Sequence, residues 1–186
     1  MRANKIANYE SILQVLGETG CPFCRFMKNY QTALMQEPSQ KDIRHLCSFH
    51  TWGLAATQRA SSAAQLFLTL LEKTGDAPNT SACDICVLLG LEEDRRVREF
   101  ISCLHHKLVT SWMRLHPVLC LEHGMKLKHG APPVTGAVID SIIENYRRQL
   151  AEELSQLRNV HDPAETKWGT LGHAAEFLAS QRGLRQ

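Results

Sequence analysis

Apolar positions recur along this chain at intervals of three and four, the spacing that gathers side chains on one face of a helix. Ile6, Leu13 and Leu16 predict a short helix before Gly17 and Gly20, and Phe26, Met27, Tyr30, Ala33 and Leu34 predict another before Pro38. From Cys47 to Lys73 only Gly53 interrupts a helix-compatible run. Its small residues Ala55, Ala56, Ala60, Ala63 and Ala64 predict a central helix that neighbours approach closely, and Leu66, Phe67, Leu70 and Leu71 extend its apolar face. Thr74 to Asn79 reads as a turn or linker. A second half repeats the plan from Val87 to about Met113, with a break at His116-Pro117, a new helical start at Cys120 and a further break across Gly130 to Pro133.

Ile139, Ile143, Tyr146, Leu150, Leu154 and Leu157 then follow one another at helical spacing, a coiled-coil-like stripe whose first reading is core packing and whose second is a homodimer seam through residues 139–157. Leu171, Ala174, Ala175, Phe177 and Leu178 mark one more short helix in the tail. No alternating run long enough to make a strand is present in the pattern. The expected fold class is all-α: duplicated helical units forming a compact bundle, with units at 1–75 and 76–162 and a helical tail at 163–186.

Composition changes this picture little. The 186 residues are 44% hydrophobic and 22% charged, which suits a folded globular chain and excludes a disordered one. Units of about half this length have small cores and need additional staples. The N-terminus lacks the apolar run of a secretory signal, and no stretch reaches the length of a spanning helix, so a cytoplasmic location without a membrane partner is expected. Arg95, Arg96 and Arg98 are interleaved with Glu92, Glu93, Asp94 and Glu99, a mixed-charge face and not a phosphate-reading stripe.

The chemistry lies in the cysteines. Cys21-Pro22-Phe23-Cys24 is followed by Leu46-Cys47-Ser48-Phe49-His50, with 22 residues between Cys24 and Cys47, and Cys83-Asp84-Ile85-Cys86 by Leu119-Cys120-Leu121-Glu122-His123, with 33 between Cys86 and Cys120. A leucine stands four positions beyond each histidine, at Leu54 and Leu127, and the shared word recurs at an offset of 73. Such a repeat reads as internal duplication. A divalent zinc ion takes four thiolate or imidazole ligands in a tetrahedron, and residues i and i+3 of a helix share a face, so each half can supply one site. Sequence order predicts Cys21/Cys24/Cys47/His50 and Cys83/Cys86/Cys120/His123, each holding one half together. Six thiolates around two divalent ions would add two negative charges and bring the formal net charge of +2 to near zero, so the total implies no electrostatic recruitment to nucleic acid.

Three other uses of these cysteines are chemically open: small buried hydrophobes, redox C-x2-C pairs and an iron–sulfur cluster with Cys3His ligation. The first two do not explain the matched C-x2-H words, and the spacing is that of neither standard ferredoxin. Four protein ligands close the coordination sphere, which argues against a hydrolytic zinc centre with its open position.

The ordered motifs C-P-x-C, C-x2-H, C-x-I-C and C-x2-H, with Ile85 and the leucines after each histidine, resemble an uncharacterised bacterial domain-of-unknown-function family over about residues 15 to 130. The chain departs from that pattern in carrying Leu46 and Leu119 where glycine precedes the third cysteine of each site. The resemblance implies a metal-ligand role for the same eight residues and carries no activity with it.

Cys103, His105 and His106 stand close together and could form a further thiol or metal site, although core packing and surface roles are the simpler account. Trp52 and Trp112 are expected to fill core space near the ligands. No phosphate loop, dinucleotide fingerprint or nucleophile elbow is present. The function expected is a zinc-bound binding or adaptor module with a protein partner. The alternatives are a redox or metal-sensing protein and a regulator that touches nucleic acid.

Overall fold

The computed structural model describes residues 20–37, 43–73, 82–104, 109, 111, 113, 119–157 and 168–179. All regular structure among them is helical: α1 (Pro22–Gln36), α2 (Ser48–Thr57), α3 (Ala60–Lys73), α4 (Asp84–Cys103), α5 (Leu121–Gly130), α6 (Pro133–Leu157) and α7 (Trp168–Ala179). Pro22 and Pro133 occupy the first helical position, where a fixed φ favours the turn and the missing N–H is not needed. Gly20 turns the chain into α1 at φ +82°, a conformation that only glycine adopts without strain. The helix expected from Ile6, Leu13 and Leu16, the 74–79 linker, and His105, His106, Trp112 and His116 lie outside the described residues.

The described residues fall into two compact units, those up to Arg25 and from Arg95 onward in one and those from Phe26 to Asp94 in the other. The second is therefore an insertion in the first, and the divisions fall within α1 and α4.

In the outer unit, Phe23, Val97, Phe100, Leu104, Val109, Met113, Leu119 and Leu127 form one core with Ile139, Ile142, Ile143, Leu150 and Phe177. Burying a side chain of this size stabilises by about 1.5–3 kcal/mol. Of the 139–157 stripe, Ile139, Ile143 and Leu150 are buried in that core, and Tyr146 meets Phe177 edge to face at 5.4 Å. Close approach of α5 to α6 depends on Gly124, where a Cβ would stand 2.7 Å from Ile143 Cδ1.

In the inserted unit, the single helix expected between Cys47 and Lys73 is two. Gln58 leaves the helical region at φ −86°, ψ 154° after its N–H closes α2 on the Leu54 carbonyl. Its side-chain amide donates to the Met35 carbonyl, an alternative to continuing the helix. Nor is this stretch central, because Ala55, Ala56, Ala60 and Ala64 are exposed and only Ala63 is buried. Ala-rich sequence favours helix through propensity alone, so its exposure is physically consistent. Gly53 instead marks the close approach, where the Met35 side chain fills the space of a Cβ.

Candidate metal centres

The eight ligand candidates form two groups, but not in sequence order. Cys21, Cys24, Cys120 and His123 meet in the outer unit, and Cys47, His50, Cys83 and Cys86 meet in the inserted one, with the ligand atoms of each group within 4.8 Å of one another. The predicted pairing within each half is thus corrected: each C-x2-C joins the C-x2-H of the other half. The sites are nested, one inside the loop closed by the other.

A common local device places all four ligand pairs. Cys21, Cys47, Cys83 and Cys120 each precede the first helical residue, and their carbonyls accept the N–H of Arg25, Thr51, Val87 and Gly124 at 2.9–3.2 Å. The partners Cys24, His50, Cys86 and His123 stand three positions on, in the first turn of the same helix. N-cap and N3 side chains project from one end of a helix toward a common point. At Cys47 and Cys120 the thiol makes no capping hydrogen bond.

Each group therefore brings two helix N-termini together. Three thiolates around a divalent cation leave one negative charge, and two helix N-termini carry about +0.5 each, so the backbone offsets what the ion does not.

The separations are those of a tetrahedron around one ion. Bonds of about 2.3 Å to sulfur and 2.0 Å to nitrogen give edges of about 3.8 Å between sulfurs and about 3.5 Å between sulfur and nitrogen. Cys24 and Cys120 sulfurs are 3.7 Å apart, and those of Cys47 and Cys86 are 3.9 Å apart. His50 Nδ1 lies 3.3, 3.4 and 3.5 Å from the sulfurs of Cys47, Cys83 and Cys86. His123 Nδ1 lies 2.9, 3.5 and 3.7 Å from those of Cys120, Cys24 and Cys21. Both imidazoles thus turn Nδ1, not Nε2, to the centre.

In the metal-free chain these sulfurs share their protons unequally. Burial, with hydrogen bonds to Cys120 and Cys24, pushes the Cys21 thiol well up. Hydrogen bonds from Cys21 and Cys24, and then His123, pull Cys120 far down against its burial. Burial also pushes Cys86 up to about 12, with Cys83 and Cys47 adding to the effect. A divalent cation held by these residues would relieve this competition by stabilising every thiolate at once.

Neighbouring side chains orient the ligands. Phe23 stacks on His123 at 5.3 Å, and Phe49 meets His50 edge-on at 5.2 Å. The Asp84 carboxylate accepts the backbone N–H groups of Arg44 and His45, both at 2.7 Å, while its own N–H donates to the His45 carbonyl at 2.9 Å. Asp84 thus fastens the approach to Cys47 onto the helix that carries Cys83 and Cys86. This role is missing from the motif reading of the sequence, although an aspartate opening a helix inside C-x2-C is the available signal.

Cys103 joins neither group; it is half-buried against the outer core, 3.9 Å from the Ser102 hydroxyl. Trp52 is not core filling as expected but 76% exposed, because α2 turns only His50 and Leu54 fully inward. No family model, curated protein or solved structure matches the chain.

Proposed function

We propose that this is a zinc-stapled helical binding module: two Cys3His ions are structural, and a helical surface engages a protein partner. The observation that carries the reading is the completeness of each ligand set. Four protein ligands at tetrahedral spacing leave no position for water or substrate, the arrangement of structural zinc. The ligand atoms converge on one point, whereas an iron–sulfur cage needs its ligands spread over separate irons; this favours a single ion.

A reducing compartment, the cytoplasm, suits seven free thiols. No helix among the described residues is long and apolar enough to cross a membrane. Exposed Trp52 in the inserted unit favours a protein partner, since tryptophan is enriched among the anchors of such contacts. Nucleic acid is less favoured: Arg95 and Arg96 pair with Glu99, Lys126 with Glu122, Lys128 with Asp140 and Arg147 with Glu144.

Chain purified without added metal should hold two zinc ions, show no visible absorption, and lose helical circular dichroism on chelation. A sulfide-containing chromophore, or a fully helical metal-free chain, overturns the structural zinc. Photocrosslinking from position 52 in cells should give adducts removed by protease and not by nuclease; nuclease-sensitive adducts would overturn the protein partner.

A further inference from the structure

We propose that the two centres differ in chemistry: the Cys47/His50/Cys83/Cys86 site is oxidant-responsive, releasing its ion when a hydroperoxide joins Cys47 to Cys86, while the Cys21/Cys24/Cys120/His123 site holds its ion. This rests on the zinc reading above and adds to it a reactive class, hydrogen peroxide or an alkyl hydroperoxide, for one site of the pair.

Several independent features separate the sites. All four ligands of the outer centre are buried, whereas Cys47 and Cys86 of the inserted centre are half-exposed. The phenyl ring covering the imidazole differs likewise: Phe23 is 2% exposed on His123, and Phe49 is 40% exposed beside His50. The helix supplying each C-x2-H is also held differently. Outer α5 buries His123, Gly124 and Leu127, with Gly124 set closely against Ile143. Inserted α2 buries only His50 and Leu54, one of which is itself a ligand. Thiolate oxidation requires access as well as charge, and only the inserted centre offers it.

The chemistry balances with a hydroperoxide as oxidant. One thiolate of the pair attacks the peroxide oxygen, breaking the O–O bond; the sulfur becomes a sulfenic acid, and hydroxide, or the corresponding alkoxide, leaves and is protonated. The second thiolate attacks that sulfur and expels hydroxide, which takes a proton to form water. Two electrons pass from the sulfurs to the peroxide, and a Cys47–Cys86 disulfide remains. Their sulfurs are 3.9 Å apart, so closing to a bond of about 2.05 Å requires only a short movement of the light α2 helix. With two of four ligands consumed the ion leaves, and α2 loses the clip that includes His50.

The test is hydrogen peroxide added to the full-length chain loaded with two zinc ions, with release followed by a chromogenic zinc chelator and disulfides mapped by non-reducing peptide mass spectrometry. One equivalent should leave about tenfold or more faster than the other, with Cys47–Cys86 the first disulfide, and thiol reductant plus zinc should restore both. Cys24→Ser should keep the fast phase, and Cys86→Ser should lose it; peptide mapping of the unmodified chain decides the matter without either variant. Equal release rates, a first disulfide among Cys21, Cys24 and Cys120, or a Cys83–Cys86 bond overturns the proposal. A starting content below two zinc ions per chain overturns the paired-site reading itself, whereas equal release from a fully loaded chain overturns only the selective oxidation.

Discussion

Nested pairing makes a prediction that consecutive pairing reverses. Cys24 and Cys120, 96 positions apart, belong to one centre, and His50 and Cys83, 33 positions apart, belong to the other. Cys24→Ser and Cys120→Ser should each reduce the zinc content from two ions to one. Combined, they should still leave one, because both act on the same ion. Cys24→Ser with Cys47→Ser should leave none. The chain-entropy of closing such loops gives a scale of about 4.7 kcal/mol for the outer site and about 3.7 kcal/mol for the inner, so the stability loss should be somewhat larger for outer-site variants. The two outer substitutions should be strongly non-additive in thermal unfolding, whereas one from each site should approach additivity. Elemental analysis after a chelator wash reads the stoichiometry directly. If the Cys24/Cys120 double variant loses both ions and the Cys24/Cys47 variant keeps one, the nested reading is refuted.

Further predictions follow from the same geometry. Asp84→Ala removes two charge-assisted bonds to the Arg44–His45 backbone and should weaken zinc at the inner site about 10- to 100-fold in competition with a chelator, leaving the outer ion unchanged. Gly124→Ala forces a methyl group against Ile143 and should destabilise the outer unit by about 1–3 kcal/mol in denaturant unfolding, with zinc content retained. Since the metal-free Cys86 thiol is pushed up to about 12, zinc must displace its proton at neutral pH; proton release on binding, and affinity that falls as pH is lowered, should appear in calorimetry in buffers of different ionisation enthalpy.

Much of this was legible in the residues, and what was not has a definite cause. Helical periodicity located most described elements because most of them bury one face; it overreached at 47–73, where alanines favoured a continuous helix and the Gln58 break depends on a tertiary bond to Met35. All eight ligand candidates were legible because C-x2-C and C-x2-H place two donors on one helix end, a local property. Their pairing is not local. Joining each C-x2-C to the C-x2-H of its own half or of the other half gives Cys3His in both cases, so donor composition cannot distinguish the two, and modest differences in loop entropy do not override packing. Packing decides: Phe23, inside the first C-x2-C, is buried against Phe100 and His123 in the outer unit, and Asp84, inside the second, is bonded to the strand of chain leading to Cys47. These contacts carry each cysteine pair to the histidine of the opposite half. A duplicated sequence therefore yields one unit inserted in another, each with its own Cys3His group, and that nesting leaves one group buried in the larger core and the other, in the smaller unit, with Cys47 and Cys86 half-exposed.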